Sequence, residues 1–291
     1  KTPLMRLKGF GENLYGKCEF LNPSHSIKDR AAYAMIKKAL DEAHISKETT
    51  IIECTSGNMG ISLAMICATL GLKIILTMPE SMSIERRKMM ALFGAKLELT
   101  PASEGMKGAY ERALALHKEI KNSFIPSQFE NLANKFAHRE NTAVEILNDL
   151  DGKIDYFVAG FGTSGTISGV GEVLKEKFAD KVKIIAVEPA ASPLLSEGKA
   201  GGHKIQGIGA NFVPKILNQS VIDEIQTISN EDAIATAREL ALKNGLMVGI
   251  SSGANVFIAS KIAKANPDKI IVTMLNDTAE RYLSTDLFAG I

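Results

Sequence analysis

Cysteine is scarce in this 291-residue chain. Cys18, Cys54 and Cys67 are too few for a disulfide framework, and no two form a CxxC pair. They are expected to be buried thiols in a reducing compartment. Charge of either sign is nearly absent as an excess, with 34 Lys and Arg against 33 Asp and Glu and a net charge of +1. That balance removes the sequence-independent attraction to nucleic acid and argues against a polybasic membrane patch. No apolar run reaches the ~18 to 20 residues of a spanning helix, and no charged-then-apolar leader precedes the first strand. Low-complexity stretches, linkers and repeats are missing too. The expectation is a soluble, cytoplasmic globular protein without a nucleic-acid or membrane partner. At roughly 150 residues per domain its length suits two domains or one large α/β unit.

What is present is a recurring unit: a short apolar β-rich run, a Gly/Ser turn and an amphipathic helical stretch. Thr50 to Cys54, Lys73 to Thr77, Asp155 to Ala159, Lys183 to Val187 and Lys269 to Met274 read as strands. Helices are expected over Met59–Leu70 and Ser83–Phe93, the latter closed by Gly94. Strands that are apolar throughout and alternate with helices imply parallel sheets covered on both faces. Two clusters of such units, about 50–100 and 155–275, predict an α/β fold of two lobes. Each lobe has a mostly parallel sheet flanked by helices, and the boundary falls near 130–145. In such sheets ligands sit at the carboxyl ends of strands, where turns meet helix N-termini.

Three turns fit that position. Gly160-Phe161-Gly162-Thr163-Ser164-Gly165-Thr166 follows a buried strand, and its amides and hydroxyls suit a phosphate. No Lys follows it, which excludes a nucleotide-triphosphate P-loop. It also matches GxGxxG, and Glu188 ends the next strand where a ribose-binding acid would sit, so a nicotinamide-dependent oxidoreductase is a rival reading. The second turn, Thr55-Ser56-Gly57-Asn58-Met59-Gly60, suits a small carboxylate, or else is an N-cap cluster. The third, Gly249-Ile250-Ser251-Ser252-Gly253-Ala254, taken alone reads as a serine N-cap. Upstream of all three lies Ser24-His25-Ser26-Ile27-Lys28-Asp29-Arg30. With Ser26 as N-cap, Lys28 falls in the first helical turn. An ammonium there opposes the helix dipole, and the bias is towards the neutral amine that a Schiff base needs. His25 reads as a polar loop residue, and Asp29 and Arg30 as an ion pair at the helix start.

Together these segments resemble the cysteine synthases (O-acetylserine sulfhydrylases), pyridoxal-phosphate enzymes of fold type II with a tryptophan synthase β-like architecture. The resemblance runs from Thr2-Pro3-Leu4 through Gln128-Phe129-Glu130-Asn131 and Lys204-Ile205-Gln206-Gly207-Ile208-Gly209 to Glu280-Arg281-Tyr282-Leu283-Ser284-Thr285. It implies a smaller mobile domain over 21–139 and a larger one made of 1–20 with 140–291. It further implies that Lys28 carries the cofactor and then acts as the base at Cα. Gly162, Thr163, Ser164, Gly165 and Thr166 would hold the phosphate, Asn58 the ring hydroxyl oxygen, and Ser251 the pyridine nitrogen. Thr55, Ser56, Met59 and Gln128 would bind the substrate carboxylate, and no metal is implied. The implied activity is a transferase reaction, a ping-pong β-replacement through an α-aminoacrylate that makes L-cysteine from O-acetyl-L-serine and sulfide. A homodimer is implied, and the C-terminal tail of serine acetyltransferase as a partner.

Four places depart from that pattern. His25 stands where a small residue is usual, and Met59 replaces a common Thr. Asn276-Asp277-Thr278-Ala279 replaces a segment that tends to begin with Pro. Asn211 stands where sulfhydrylases tend to have Gly and cystathionine β-synthases Asp. An amide there can donate to a leaving oxygen but cannot deliver a proton. Asn211 therefore leaves open a cystathionine β-synthase-type or cysteine-desulfhydrating enzyme that uses serine or cysteine.

Overall fold

The computed structural model describes residues 1–291 and divides them into two units, 28–134 and 1–27 with 135–291. The division falls at 27/28 and 134/135, where the family resemblance suggested 20/21 and 139/140. Hydrogen bonds explain the difference. The Ile27 N–H donates to Asn276 O at 2.8 Å and Ser26 bridges Asp277, which ties 21–27 to the larger unit. Lys135 pairs with Glu172 at 2.9 Å and the His138 ring meets Thr166 Oγ1 at 3.3 Å, which ties 135–139 to it as well.

The smaller unit opens with helix α1 (Lys28–Asp41), then alternates strand β3 (Thr50–Cys54), helix α2 (Asn58–Leu70), strand β4 (Lys73–Pro79), helix α3 (Ile84–Leu92) and strand β5 (Lys96–Thr100). Helix α4 (Gly105–Glu119) leads to the short strand β6 (Ser123–Phe124). The sheet is wholly parallel in the order β5-β4-β3-β6. Successive residues of β3 serve opposite faces, as the pleat requires. Ile51 joins a core with Met35, Ile36, Leu63 and Leu76, whereas Ile52 packs with Ile75, Ala113 and Leu116.

The larger unit contains strands β1 (Leu4–Arg6) and β2 (Leu14–Cys18), then helices α5 (Leu132–Ala137, which crosses the division) and α6 (Ala143–Asp149). There follow β7 (Tyr156–Gly160), α7 (Gly165–Phe178), β8 (Lys183–Pro189), α8 (Leu194–Glu197), β9 (Glu224–Ile228), α9 (Asn230–Asn244), α10 (Ile250–Ala265) and β10 (Ile271–Leu275). The order is β1-β2-β10-β7-β8-β9, parallel except for the β1–β2 edge pair. Phe157 and Ala159 pack with Ile167, Val170 and Leu174, while Val158 faces Leu240, Ala254 and Ile258 on the opposite side. Each fully buried side chain of this kind contributes about 1.5–3 kcal/mol.

Both sheets reverse direction once. The small sheet builds outward from β3 to β5 before β6 returns to the other side of β3. The large sheet runs outward from β7 to β9 before β10 enters between β7 and β2. Where a doubly wound sheet reverses, the loops at the strand ends splay apart and leave a ligand-sized crevice. The β3 and β6 ends carry Thr55 to Gly57 and Ile125 to Gln128. The β7 and β10 ends carry Phe161 to Ser164 and Asn276 to Thr278. No helix is long and apolar enough to cross a membrane.

Candidate active-site segments

In the larger unit, Asn255 of α10 stitches the reversal together. Its carbonyl accepts from Gly160 N at 2.7 Å, and its amide donates to Met274 O at 2.9 Å. The turn that follows lies against a second loop, with Gly209 N donating to Phe161 O at 3.0 Å. A Cβ on Gly162 would stand 2.5 Å from Gly207 O, so only glycine allows this approach. Ser164 closes the turn in the left-handed region (φ 73°) and leads into α7 without capping it. Its hydroxyl is buried and has no hydrogen-bond partner. Thr163 is buried, and no Lys or Arg occurs between Gly160 and Leu174. A buried orphan hydroxyl in a cation-free turn at a helix N-terminus fits a phosphate held by amides and hydroxyls.

The rival ribose-binding role of Glu188 is overturned by its surroundings. One carboxylate oxygen accepts from Leu195 N at 2.9 Å, the other from Ser196 N and Oγ at 3.0 and 2.5 Å. The carboxylate is spent on the start of α8.

The expectation that serine caps α10 is corrected as well. Gly249 is the N-cap, its own N–H donating to Asp277 O at 3.1 Å. Ser251 and Ser252 lie inside the first turn, past the position from which a side chain can reach back. Their hydroxyls accept from the side-chain amide and the backbone N–H of Asn276, at 3.0 and 2.8 Å. Asp277 is buried against Gly249 and accepts from Tyr282 Oη at 2.5 Å.

The smaller unit presents the second set. Gly57 is the N-cap of α2 and has no side chain to cap with, so Ser56 and Asn58 are not a capping cluster. Ser56 Oγ approaches Met106 Sδ, and buried Thr55 accepts from Gly57 N at 3.3 Å. The Met59 side chain is buried in the unit's core, which accounts for a methionine there. Lys28 is the first residue of α1 and half-buried. Beside it, Asp29 accepts from Ser62 Oγ of α2 at 2.6 Å, which pins the two helix starts together. His25 is exposed in the left-handed region, its ring 3.3 Å from Phe20 O.

Gln128 is buried in the loop that follows β6, held through its carbonyl by the Asn134 amide at 2.8 Å. Behind it lies a residue that sequence reasoning missed. Glu53, in the middle of β3, is buried, and burial raises its carboxyl from 4.5 to about 7 against the opposing pull of the Cys54, Ser127 and Gln128 N–H groups. The signal was a single acid inside Thr50-Ile51-Ile52-Glu53-Cys54, a run otherwise apolar enough to be buried on both faces.

Asn211 is exposed with φ 61°, and its side-chain oxygen accepts from Ser192 Oγ at 2.7 Å. The cysteines are free. Cys18 and Cys67 are buried, Cys54 only half-buried, and burial pushes all three thiols up, to about 11, 12 and 11 respectively.

A family model described as pyridoxal-phosphate dependent enzyme matches residues 1–277. Cysteine synthase B of Campylobacter jejuni is 71% identical over 288 residues, 99% of this chain and 96% of that protein. A probable cysteine synthase of Bacillus subtilis is 49% identical over 298 residues, covering 100% and 96%. Among solved structures, an O-ureido-L-serine synthase superposes with a TM-score of 0.96 at 42% identity, covering 100% of this chain and 93% of that one. With two α/β units, a glycine-rich turn free of Lys and Arg at the start of α7 and a lysine opening α1, the chain belongs to the pyridoxal-phosphate dependent enzymes of fold type II, in the cysteine synthase branch.

Proposed function

We propose that this chain makes L-cysteine by β-replacement, sulfide taking the place of acetate on O-acetyl-L-serine. The observation that carries the reading is the buried, partnerless Ser164 hydroxyl in a turn without cations. The cofactor, pyridoxal phosphate, supplies an electron sink for the pair left at Cα when its proton is removed. Lys28 contributes the amine that attaches the cofactor aldehyde. Once free, its Nζ would take the Cα proton and later return it. Gly162 to Thr166 hold the phosphate through backbone N–H groups and the hydroxyls of Thr163, Ser164 and Thr166. Asn58 donates to the ring oxygen. Ser251 meets the pyridine nitrogen with a hydroxyl, which cannot deliver a full proton as a carboxylic acid would. The ring is then a moderate acceptor, sufficient for elimination.

The substrate carboxylate is bound by Thr55, Ser56, the Met59 N–H and Gln128, at the start of α2 where the dipole favours an anion. As the Cα proton passes to Lys28, the Cβ–O bond breaks and acetate leaves. Sulfide then forms the new Cβ–S bond, and Cα is reprotonated from Lys28. Asn211, with its oxygen engaged by Ser192, offers only N–H donors to an incoming or departing group. A homodimeric, cytoplasmic enzyme that binds the C-terminal tail of serine acetyltransferase accompanies this reading.

Spectral titration of the purified protein tests it. The expected result is an absorbance band at roughly 410 nm that changes on adding O-acetyl-L-serine and returns with sulfide, and that is absent from Lys28→Ala. A band that persists in Lys28→Ala would overturn the role of Lys28.

A further inference from the structure

Ser251 Oγ has one proton and two lone pairs, so what it offers a ligand depends on what already occupies the oxygen. Asn276 Nδ2 donates to it at 3.0 Å. Asn276 is itself held on both sides of its backbone. Its N–H donates to the buried Ser252 Oγ at 2.8 Å, and its C=O accepts from the buried Ile27 N at 2.8 Å. With the backbone clamped, the amide is presented to Ser251 from a fixed direction. Proline, expected at this position from the family resemblance, could make neither the bond to Ser251 nor the one to Ser252.

We propose that Asn276 is a positioning residue that turns the Ser251 proton towards the pyridine nitrogen of the cofactor, keeping that nitrogen an unprotonated hydrogen-bond acceptor. The inference rests on the cofactor reading above. It adds that the protonation state of the ring is set through Ser251 by the residue that follows β10, the same residue whose carbonyl holds the chain leading into Lys28. The hydroxyl cannot accept from the ring nitrogen while its proton points there, so the ring remains the moderate acceptor that elimination uses.

The test is reconstitution with pyridoxal phosphate labelled with 15N in the ring, reading the nitrogen chemical shift and the cofactor dissociation constant. Wild type is expected to show a neutral, hydrogen-bonded pyridine. Asn276→Ala, which frees the Ser251 hydroxyl to rotate, is expected to move the shift towards a neutral nitrogen without that bond and to weaken cofactor binding roughly two- to tenfold. Asn276→Asp reverses the donor. Its carboxylate accepts the Ser251 proton, and the nitrogen shift moves towards pyridinium. In a Ser251→Ala background, the two substitutions at 276 should produce the same shift, because their effect passes through the hydroxyl. Ring shifts for Asn276→Ala and Asn276→Asp that match wild type would overturn the proposal, as would opposite responses surviving in Ser251→Ala. A wild-type protein that takes up no cofactor would instead sink the cofactor reading itself.

Discussion

Two kinds of helix start coexist in this chain. Helices α3 and α9 begin on Ser83 and Ser229, whose side chains accept the N–H groups of Arg86 and Asp232. Helices α2, α7 and α10 also begin among Ser, Thr and Asn, yet none receives a side-chain cap. At α7 and α10 the hydroxyls are not spent on their own helix, whereas at α2 Thr55 accepts from the N–H of the N-cap residue Gly57. Ser164 is buried without a partner, and Ser251 and Ser252 are engaged by Asn276. All three helices adjoin β3, β7 or β10, the strands at which the sheets reverse. On the proposed reading, a hydroxyl at a sheet reversal that does not cap its helix faces a ligand, whereas a capping hydroxyl elsewhere serves structure alone.

Gly162→Ala probes that contrast most severely. Its methyl would meet Gly207 O, a backbone atom that cannot swing aside. The turn should be displaced, with cofactor retention lost and about 1–3 kcal/mol of stability removed, read by absorbance after dialysis and by urea unfolding.

The buried acids sharpen the comparison next. Glu188 has both oxygens engaged at the start of α8, whereas Glu53 has a buried oxygen without a partner and a carboxyl raised from 4.5 to about 7. A raised carboxyl pKa in the folded state means that Glu53's stabilising contribution is complete below pH 4.5 and is lost as pH rises through 7. The loss amounts to roughly 3 kcal/mol. Urea unfolding of wild type should weaken across that window, and Glu53→Gln should flatten the dependence. An equally steep profile in Glu53→Gln would show that other groups carry it.

Ser164→Ala should weaken cofactor binding roughly tenfold or more, since a hydrogen bond to a charged phosphate is worth about 1.5–3 kcal/mol. The stability of the cofactor-free protein should stay within about 0.5 kcal/mol of wild type, because no cap is removed. Ser229→Ala should do the reverse, costing about 1 kcal/mol of stability and leaving cofactor binding unchanged. If the two variants behaved alike in both measurements, the distinction between capping and ligand-facing hydroxyls would fail.

Much of the architecture was legible because parallel strands buried on both faces must be apolar along their whole length. Thr50–Cys54 matches β3 residue for residue, and the other expected strands start or stop within two residues of the observed ones. The place of the 160–166 turn between β7 and α7 was legible for a related reason, since glycines and hydroxyls after a buried apolar run interrupt a strand before a helix begins. The serines of α10 were misread as caps because capping is decided by one residue of helix register, which Gly249 takes. Glu188 was misread because the α8 amides it meets lie 7 and 8 residues on, in a turn that its own strand does not announce. Glu53 went unnoticed and Asn276 registered only as a departure from the family pattern, because their partners are distant in sequence, at Ser127 and Gln128 for one and at Ser251 and Ile27 for the other.

Local order was decided by the amino-acid sequence alone: which runs become strands, which turns hold glycine, and which lysine opens a helix. Backbone sterics and side-chain burial act over a few residues, and they leave a periodic trace. Strand order was decided only in three dimensions. The return of β6 beside β3 and of β10 between β7 and β2 places Gln128 over Glu53 and Asn276 over Ser251. No local preference encodes such pairings, because they arise from burying two faces of each sheet at once.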